Sequence, residues 1–124
     1  MNPEELLYTK EHEWVKMKGK TAIIGITDYA QKEMTDIVYV ELPQNGIQIE
    51  KGEPLCTLES VKNAEDVYSP VTGKVIAVNT DLEDEPELIN QDPYGKGWIV
   101  KLEVEEGPEG LMSSQEYEEY LKSL

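Results

Sequence analysis

One lysine stands where acylation or Schiff-base chemistry would need it. Lys62 lies in Glu59-Ser-Val-Lys-Asn-Ala64, between strand patterns at Leu55-Cys-Thr-Leu-Glu59 and Asp66-Val-Tyr68, so it occupies the turn of a hairpin. Asn63 beside it is one of the few non-glycine residues that tolerate the left-handed backbone such turns often use. An amine exposed on a rigid tip offers a modifying enzyme a single group to reach and flanking backbone to grip. A Schiff-base nucleophile would instead need an amine pKa depressed by burial or by a neighbouring cation. Glu59, Glu65 and Asp66 nearby would raise it. The local pattern alone favours a solvated turn lysine.

Few other residues offer chemistry. The chain has one cysteine, Cys56, and one histidine, His12, so neither an internal disulfide nor a Cys/His zinc site can be assembled, and no metal ligands are assigned. Cys56 sits in Pro54-Leu-Cys-Thr-Leu58, which reads as a small thiol buried on a strand. His12 reads as a packing or hydrogen-bonding residue rather than a base. Trp14 and Trp98 read as core or cleft wall. No catalytic residue is assigned.

Short strands must position Lys62. Trp14–Met17 and Thr21–Ile26 flank a hairpin turn at Lys18-Gly19-Lys20. Asp36–Leu42, Leu55–Glu59, Asp66–Tyr68, Gly73–Val78 and Trp98–Val104 follow, parted by Gly- and Pro-containing turns. Thr27-Asp28 can cap a short helix through Met34, with Gln31 completing a capping box on Asp28. Asp81–Glu87 reads as a polar connection with a helical turn near Glu87–Asn90. Ser113 with Glu116 three residues on, then Tyr117, Tyr120, Leu121 and Leu124, marks a terminal helix. A weak echo relates Gly19–Thr27 to Gly73–Thr80 and Pro54–Glu59 to Trp98–Glu103, as in two halves about a pseudo-two-fold axis. The pattern is a single, mostly β domain of the sandwich or barrel type.

The 124 residues carry 26 acids against 11 basic side chains, all of them lysine, for a net charge of −15. Such a chain is a poor partner for phosphate backbones, so nucleic-acid binding is excluded. No apolar run approaches the ~20 residues of a membrane span, and Met1-Asn-Pro-Glu-Glu5 lacks the character of a signal peptide. The expected setting is the cytoplasm, or the mitochondrial matrix for a mature organelle form. The expected state is a monomer making transient complexes, steered by its acidic surface toward basic partners.

Longer strings are more specific. Glu59-Ser-Val-Lys-Asn-Ala-Glu-Asp-Val-Tyr-Ser-Pro-Val-Thr-Gly-Lys-Val75 resembles the lipoyl-lysine signature of the H-protein of the glycine cleavage system. Thr9-Lys-Glu-His-Glu-Trp-Val15, Gly25-Ile-Thr-Asp-Tyr-Ala-Gln31, Asp36-Ile-Val-Tyr-Val-Glu-Leu-Pro43, and Leu88-Ile-Asn-Gln-Asp-Pro-Tyr94 with Gly97-Trp98 are similar to that family's other blocks, in order. Biotin carriers centre their lysine in Met-Lys-Met and the lipoyl domains of 2-oxoacid dehydrogenases in Asp-Lys-Ala, so Val-Lys-Asn at Lys62 separates this chain from both. Lys16-Met-Lys18 is a decoy. Thr35-Asp36 departs from the usual Gly-Asp, and Asn63 stands where alanine is common.

The resemblance implies a lipoyl/biotinyl-type barrel-sandwich hybrid of short antiparallel strands. A short helix falls near 28–34 and a C-terminal helix near 114–122. One lipoyl-carrier domain spans 1–124, with its core at about 10–105 and the helix at 113–123. It implies lipoate in amide linkage on Lys62 and a carrier rather than an enzyme. The arm would accept an aminomethyl group from glycine at the pyridoxal-phosphate (PLP) glycine decarboxylase. It would present that group to the aminomethyltransferase for transfer to tetrahydrofolate, and be reoxidised by dihydrolipoamide dehydrogenase (FAD/NAD). A lipoate-attaching enzyme is the fourth partner. Glu13 and Asp66 are the implied contacts for the loaded arm, since a carboxylate suits an ammonium group in a partly dry cleft. The alternative role is a lipoyl relay that donates its cofactor to other lipoate-dependent enzymes.

Overall fold

Alternating apolar runs cut by glycine and proline produce nine short strands and four helices in the computed structural model, which describes residues 2–124. The first three strands are β1 (Leu7–Tyr8), β2 (Glu13–Lys18) and β3 (Thr21–Ile26), followed by helix α1 (Asp28–Met34). Next come β4 (Ile37–Glu41), β5 (Gln48–Ile49), β6 (Pro54–Ser60), β7 (Ala64–Tyr68) and β8 (Thr72–Val78). Two one-turn helices, α2 (Asp81–Asp84) and α3 (Leu88–Gln91), lead to β9 (Val100–Glu106) and α4 (Ser114–Lys122). None of these helices is long and apolar enough to cross a membrane.

The strands form two antiparallel sheets that do not close on each other. One has the order β1-β2-β3-β9-β8-β5, the other β4-β6-β7. Val15, Ile24, Val75 and Leu102 from the larger sheet and Val40, Leu58 and Val67 from the smaller one belong to a single buried cluster. Burying these side chains is the main stabilising contribution, at ~1.5–3 kcal/mol for each. A second, smaller cluster of Leu6, Tyr8, Trp14 and Tyr117 lies under α4. Gly25, paired with Trp14 across β2 and β3, has no side chain for a steric reason: a Cβ there would sit 2.7 Å from the indole.

The structure bears out the mostly β architecture and both helices. The α4 capping box is complete, with Ser113 Oγ accepting from Glu116 N–H and the Glu116 carboxylate from Ser113 N–H. At α1 the cap is Thr27, whose hydroxyl accepts from Ala30 N–H. Asp28 is already the first helical residue, and Gln31 donates to its carboxylate. Strands β1 and β5, two residues each, are too short to leave a periodicity. Part of the connection at Asp81–Glu87 is helical, because buried Leu82 anchors α2 to the core. Leu124 is exposed rather than packed. Of the strands in the sequence echo, β6 is the middle strand of the three-stranded sheet, while β9 lies between β3 and β8 in the six-stranded one.

Candidate functional site

The β6–β7 hairpin carries Lys62 at its tip, where Glu59 pairs with Ala64 and Ser60–Asn63 make the turn. Ser60 holds that turn from inside. Its hydroxyl accepts from the N–H groups of Lys62 (3.1 Å) and Asn63 (3.2 Å) and donates to Asn63 C=O, while its own N–H donates to the same carbonyl. Asn63 is not left-handed: among the described residues only His12 and Thr35 are non-glycines with positive φ. The serine hydroxyl, a short side-chain mimic of a backbone partner, removes the need for that conformation.

A second clasp comes from outside the hairpin. Val61 N–H donates to Asp36 C=O, and the segment containing Asp36 is itself fixed by Asn90 of α3. The Asn90 amide accepts from Ile37 N–H and donates to Thr35 C=O and to the Gln31 side chain, all at 2.9–3.0 Å. The lysine turn is thus built on three elements distant in sequence, while the Lys62 side chain is exposed.

A cleft of about 580 Å³ opens beside the hairpin, between β7 on one side and α1 with the start of β2 on the other. Five carboxylates line it, Glu11, Glu13, Glu33, Glu65 and Asp66, with no lysine among its walls. Glu13 is 3% exposed. One of its oxygens accepts from Thr9 Oγ1 (2.6 Å) and the other from Tyr68 N–H (3.2 Å). Burial pushes its pKa up to about 7; the two hydrogen bonds pull it back and Glu11 adds a further rise. Glu13 therefore titrates near neutrality in the open cleft and would ionise fully beside a cation. Asp66 is exposed on β7, with Thr57 Oγ1 donating to it at 2.8 Å.

Of the remaining singled-out residues, His12 lines the cleft, while Trp14, Trp98 and Cys56 lie outside it. His12 has φ +71 in the tight Thr9–Glu13 loop, and its Nδ1 lies 2.8 Å from the Tyr117 hydroxyl, which is 2.7 Å from Thr27 Oγ1. Burial lowers its pKa against the opposing pull of Glu11 and Glu33, so the ring is neutral at pH 7 and serves as a hydrogen-bonding wall. Trp14 is buried, donating from Nε1 to Pro93 C=O, and Trp98 is half-buried beneath the Lys101 ammonium. Cys56 is buried on β6, and desolvation drives its thiol pKa far up.

Of the residues singled out from sequence, Glu13 and Asp66 both line the cleft, while Lys62 lies at the tip of the hairpin whose β7 strand forms one side of it. Glu11, Glu33 and Glu65 were missed as cleft walls, since they come from three separate segments and no spacing links them. Ser60 had a local signal, a serine two residues before the tip of a turn. Asn90 had none. The donor set suits a lipoyl-lysine whose loaded end is cationic: an accessible amine, a cleft starting two residues from it, and a buried carboxyl within.

The family model described as glycine cleavage H-protein matches residues 6–124. A glycine cleavage system H protein of Herpetosiphon aurantiacus is 50% identical over 119 residues, covering 96% of this chain and 92% of that protein. One from Listeria innocua is 58% identical over 121 residues, covering 96% and 97%. A crystal structure of a glycine cleavage system H protein from Mycobacterium marinum superposes with a TM-score of 0.91 at 32% identity, covering 98% of this chain and 99% of that one. The five sequence blocks thus meet at the lysine hairpin, the acidic cleft and the Asn90 clasp, and the chain belongs to the glycine cleavage H-protein family.

Proposed function

We propose that this chain is the lipoyl carrier of a glycine cleavage system, with lipoate amide-linked to Lys62. The observation that carries the reading is the exposed Lys62 on a doubly clasped turn, beside a cleft lined by five carboxylates and no lysine. Held on Lys62, a lipoyl group would supply a redox-active disulfide able to carry an aminomethyl unit derived from glycine, and its partners would be the PLP decarboxylase, the tetrahydrofolate-dependent aminomethyltransferase and dihydrolipoamide dehydrogenase.

The chain's own residues bind, orient and shield. Ser60 and Asp36 hold the turn that leaves Lys62 exposed. Glu13 and Asp66 receive the cationic amine at the end of the loaded arm, and His12, Tyr29 and Tyr68 restrict water around it. Inside the cleft, where the dielectric is low, such a charge-assisted contact is stronger than at an open surface. The proton leaving Glu13 as it ionises passes to solvent through the cleft mouth. No residue here breaks a bond; the partner enzymes supply that chemistry.

The test is intact mass with peptide mapping on protein purified from its native cell, followed by glycine-dependent loading with the decarboxylase. A lipoyl increment on the Lys62 peptide and a glycine-dependent increment upon it are expected. A Lys62 that stays unmodified even with a lipoate ligase would overturn the reading. Lipoyl transfer to an apo acceptor domain without glycine-dependent loading would replace it with the relay role.

A further inference from the structure

Soluble proteins rarely gather exposed apolar side chains without a use for them. Val38 is 54% exposed, Tyr39 50% and Val61 65%, and all three sit at the lysine end of the smaller sheet. Tyr39 is paired with Glu59, one rung below the turn, and a bulge in β4 between Ile37 and Tyr39 turns Val38 outward as well. Val61 adjoins Lys62 and is tied to Asp36. Strand β4 is an edge of its sheet, so no further strand of this chain covers the patch. Exposed Asp36 and Glu41 on the β4 segment and Glu59, paired with Tyr39, adjoin it.

Reach decides which partner needs this surface. An enzyme acting on a finished lipoyl arm meets its reactive end a whole arm's length from the backbone. The enzyme that attaches lipoate must bring its active site to the bare Nζ, only four methylenes from the Lys62 Cα. It therefore has to contact whatever immediately surrounds the turn. Accordingly, we propose that Val38, Tyr39 and Val61 form the docking patch for the lipoate-attaching enzyme, seated in an apolar recess of that enzyme ringed by lysine or arginine. This inference rests on Lys62 being the lipoylated residue. In the step it serves, neutral Nζ attacks the carbonyl of an activated lipoyl donor such as lipoyl adenylate. The amide C–N bond forms, AMP leaves with the electrons of the broken C–O bond, and one proton goes to solvent.

The experiment measures lipoylation of apo wild type and of a Val38→Ser/Tyr39→Ser/Val61→Ser variant by a lipoate–protein ligase with ATP and lipoate. Near-UV circular dichroism and the thermal midpoint establish that the variant is folded. The expected result is a Michaelis constant raised about tenfold or more with kcat within about twofold, as for lost ground-state contacts. Glu41→Lys and Glu59→Lys should raise it too, most at low salt. Forced to completion with excess ligase, the triple variant should load from glycine with wild-type kcat/KM. An unchanged Michaelis constant in a modifiable, folded variant overturns the proposal alone. An equal loss in glycine-dependent loading overturns the assignment to the attaching enzyme and gives the patch to a surface shared by several partners. Wild type refusing lipoate overturns both this inference and the carrier reading beneath it.

Discussion

At the scale of single residues, Glu13 sets the electrostatics of the cleft. Its folded pKa of about 7 exceeds the ordinary value of 4.5 because burial disfavours the charged form. Between those values the folded chain binds more protons than the unfolded one, so stability falls as pH rises from 4.5 to 7. The loss amounts to about 3 kcal/mol. Urea denaturation across that range should show the decline in wild type and a flatter profile in Glu13→Gln, which keeps a polar group against Thr9 and Tyr68 N–H. A docked cation reverses the logic: it favours the ionised form, so protection of the loaded arm should strengthen as pH climbs through 7. Glu13 was legible as a site residue because it stands in a recognisable block. Its burial, and hence its titration near neutrality, was not, since burial comes from β7 lying over it.

Among the elements, the junction of α1 with β4 holds a threonine in a backbone conformation that suits glycine. Thr35 adopts φ +64 and ψ −153, a region that glycine enters freely and threonine does not. Thr35→Gly should stabilise the fold by about 1 kcal/mol, visible as a raised thermal midpoint with lipoylation unchanged; a lowered midpoint would show the threonine conformation to be unstrained. The α4 helix offers a contrasting case. Its Tyr117 hydroxyl joins His12 and Thr27, so it ties the terminal helix to the cleft wall and to the α1 cap together. Tyr117→Phe removes one hydroxyl and leaves buried Thr27 and half-buried His12 without it, at a cost of ~1–3 kcal/mol in chemical denaturation. The helix itself could be read from Ser113, Glu116 and the tyrosine spacing. What it touches could not, because Tyr117 and His12 are 105 residues apart.

For the molecule as a whole, charge is the dominant surface property. The net charge is −15, and the described residues hold one ion pair, Lys32 with Asp28 on α1, which is solvent-exposed and weak. Carboxylates therefore repel one another across the surface while they attract basic partners. Added salt screens both effects, with opposite results. The thermal midpoint should rise between about 0.05 M and about 0.3 M salt, while the apparent Michaelis constant for glycine-dependent loading rises about fivefold. A constant that ignores salt would confine the acidic surface to a role in solubility.

Cys56 has a bearing on how the carrier can be observed. The chain holds a single thiol, and that thiol is buried between the sheets with its ionisation suppressed. Alkylating reagents need a thiolate they can reach, so the folded protein should be silent toward maleimide. Every adduct on a reduced, lipoylated sample would then come from the arm, two on the free dithiol and one when a sulfur is occupied. On a lipoylated chain the same seclusion would keep the arm from reacting with its own scaffold. Thiol–disulfide exchange with Cys56 would trap the swinging group as a mixed disulfide, and the core denies it that partner.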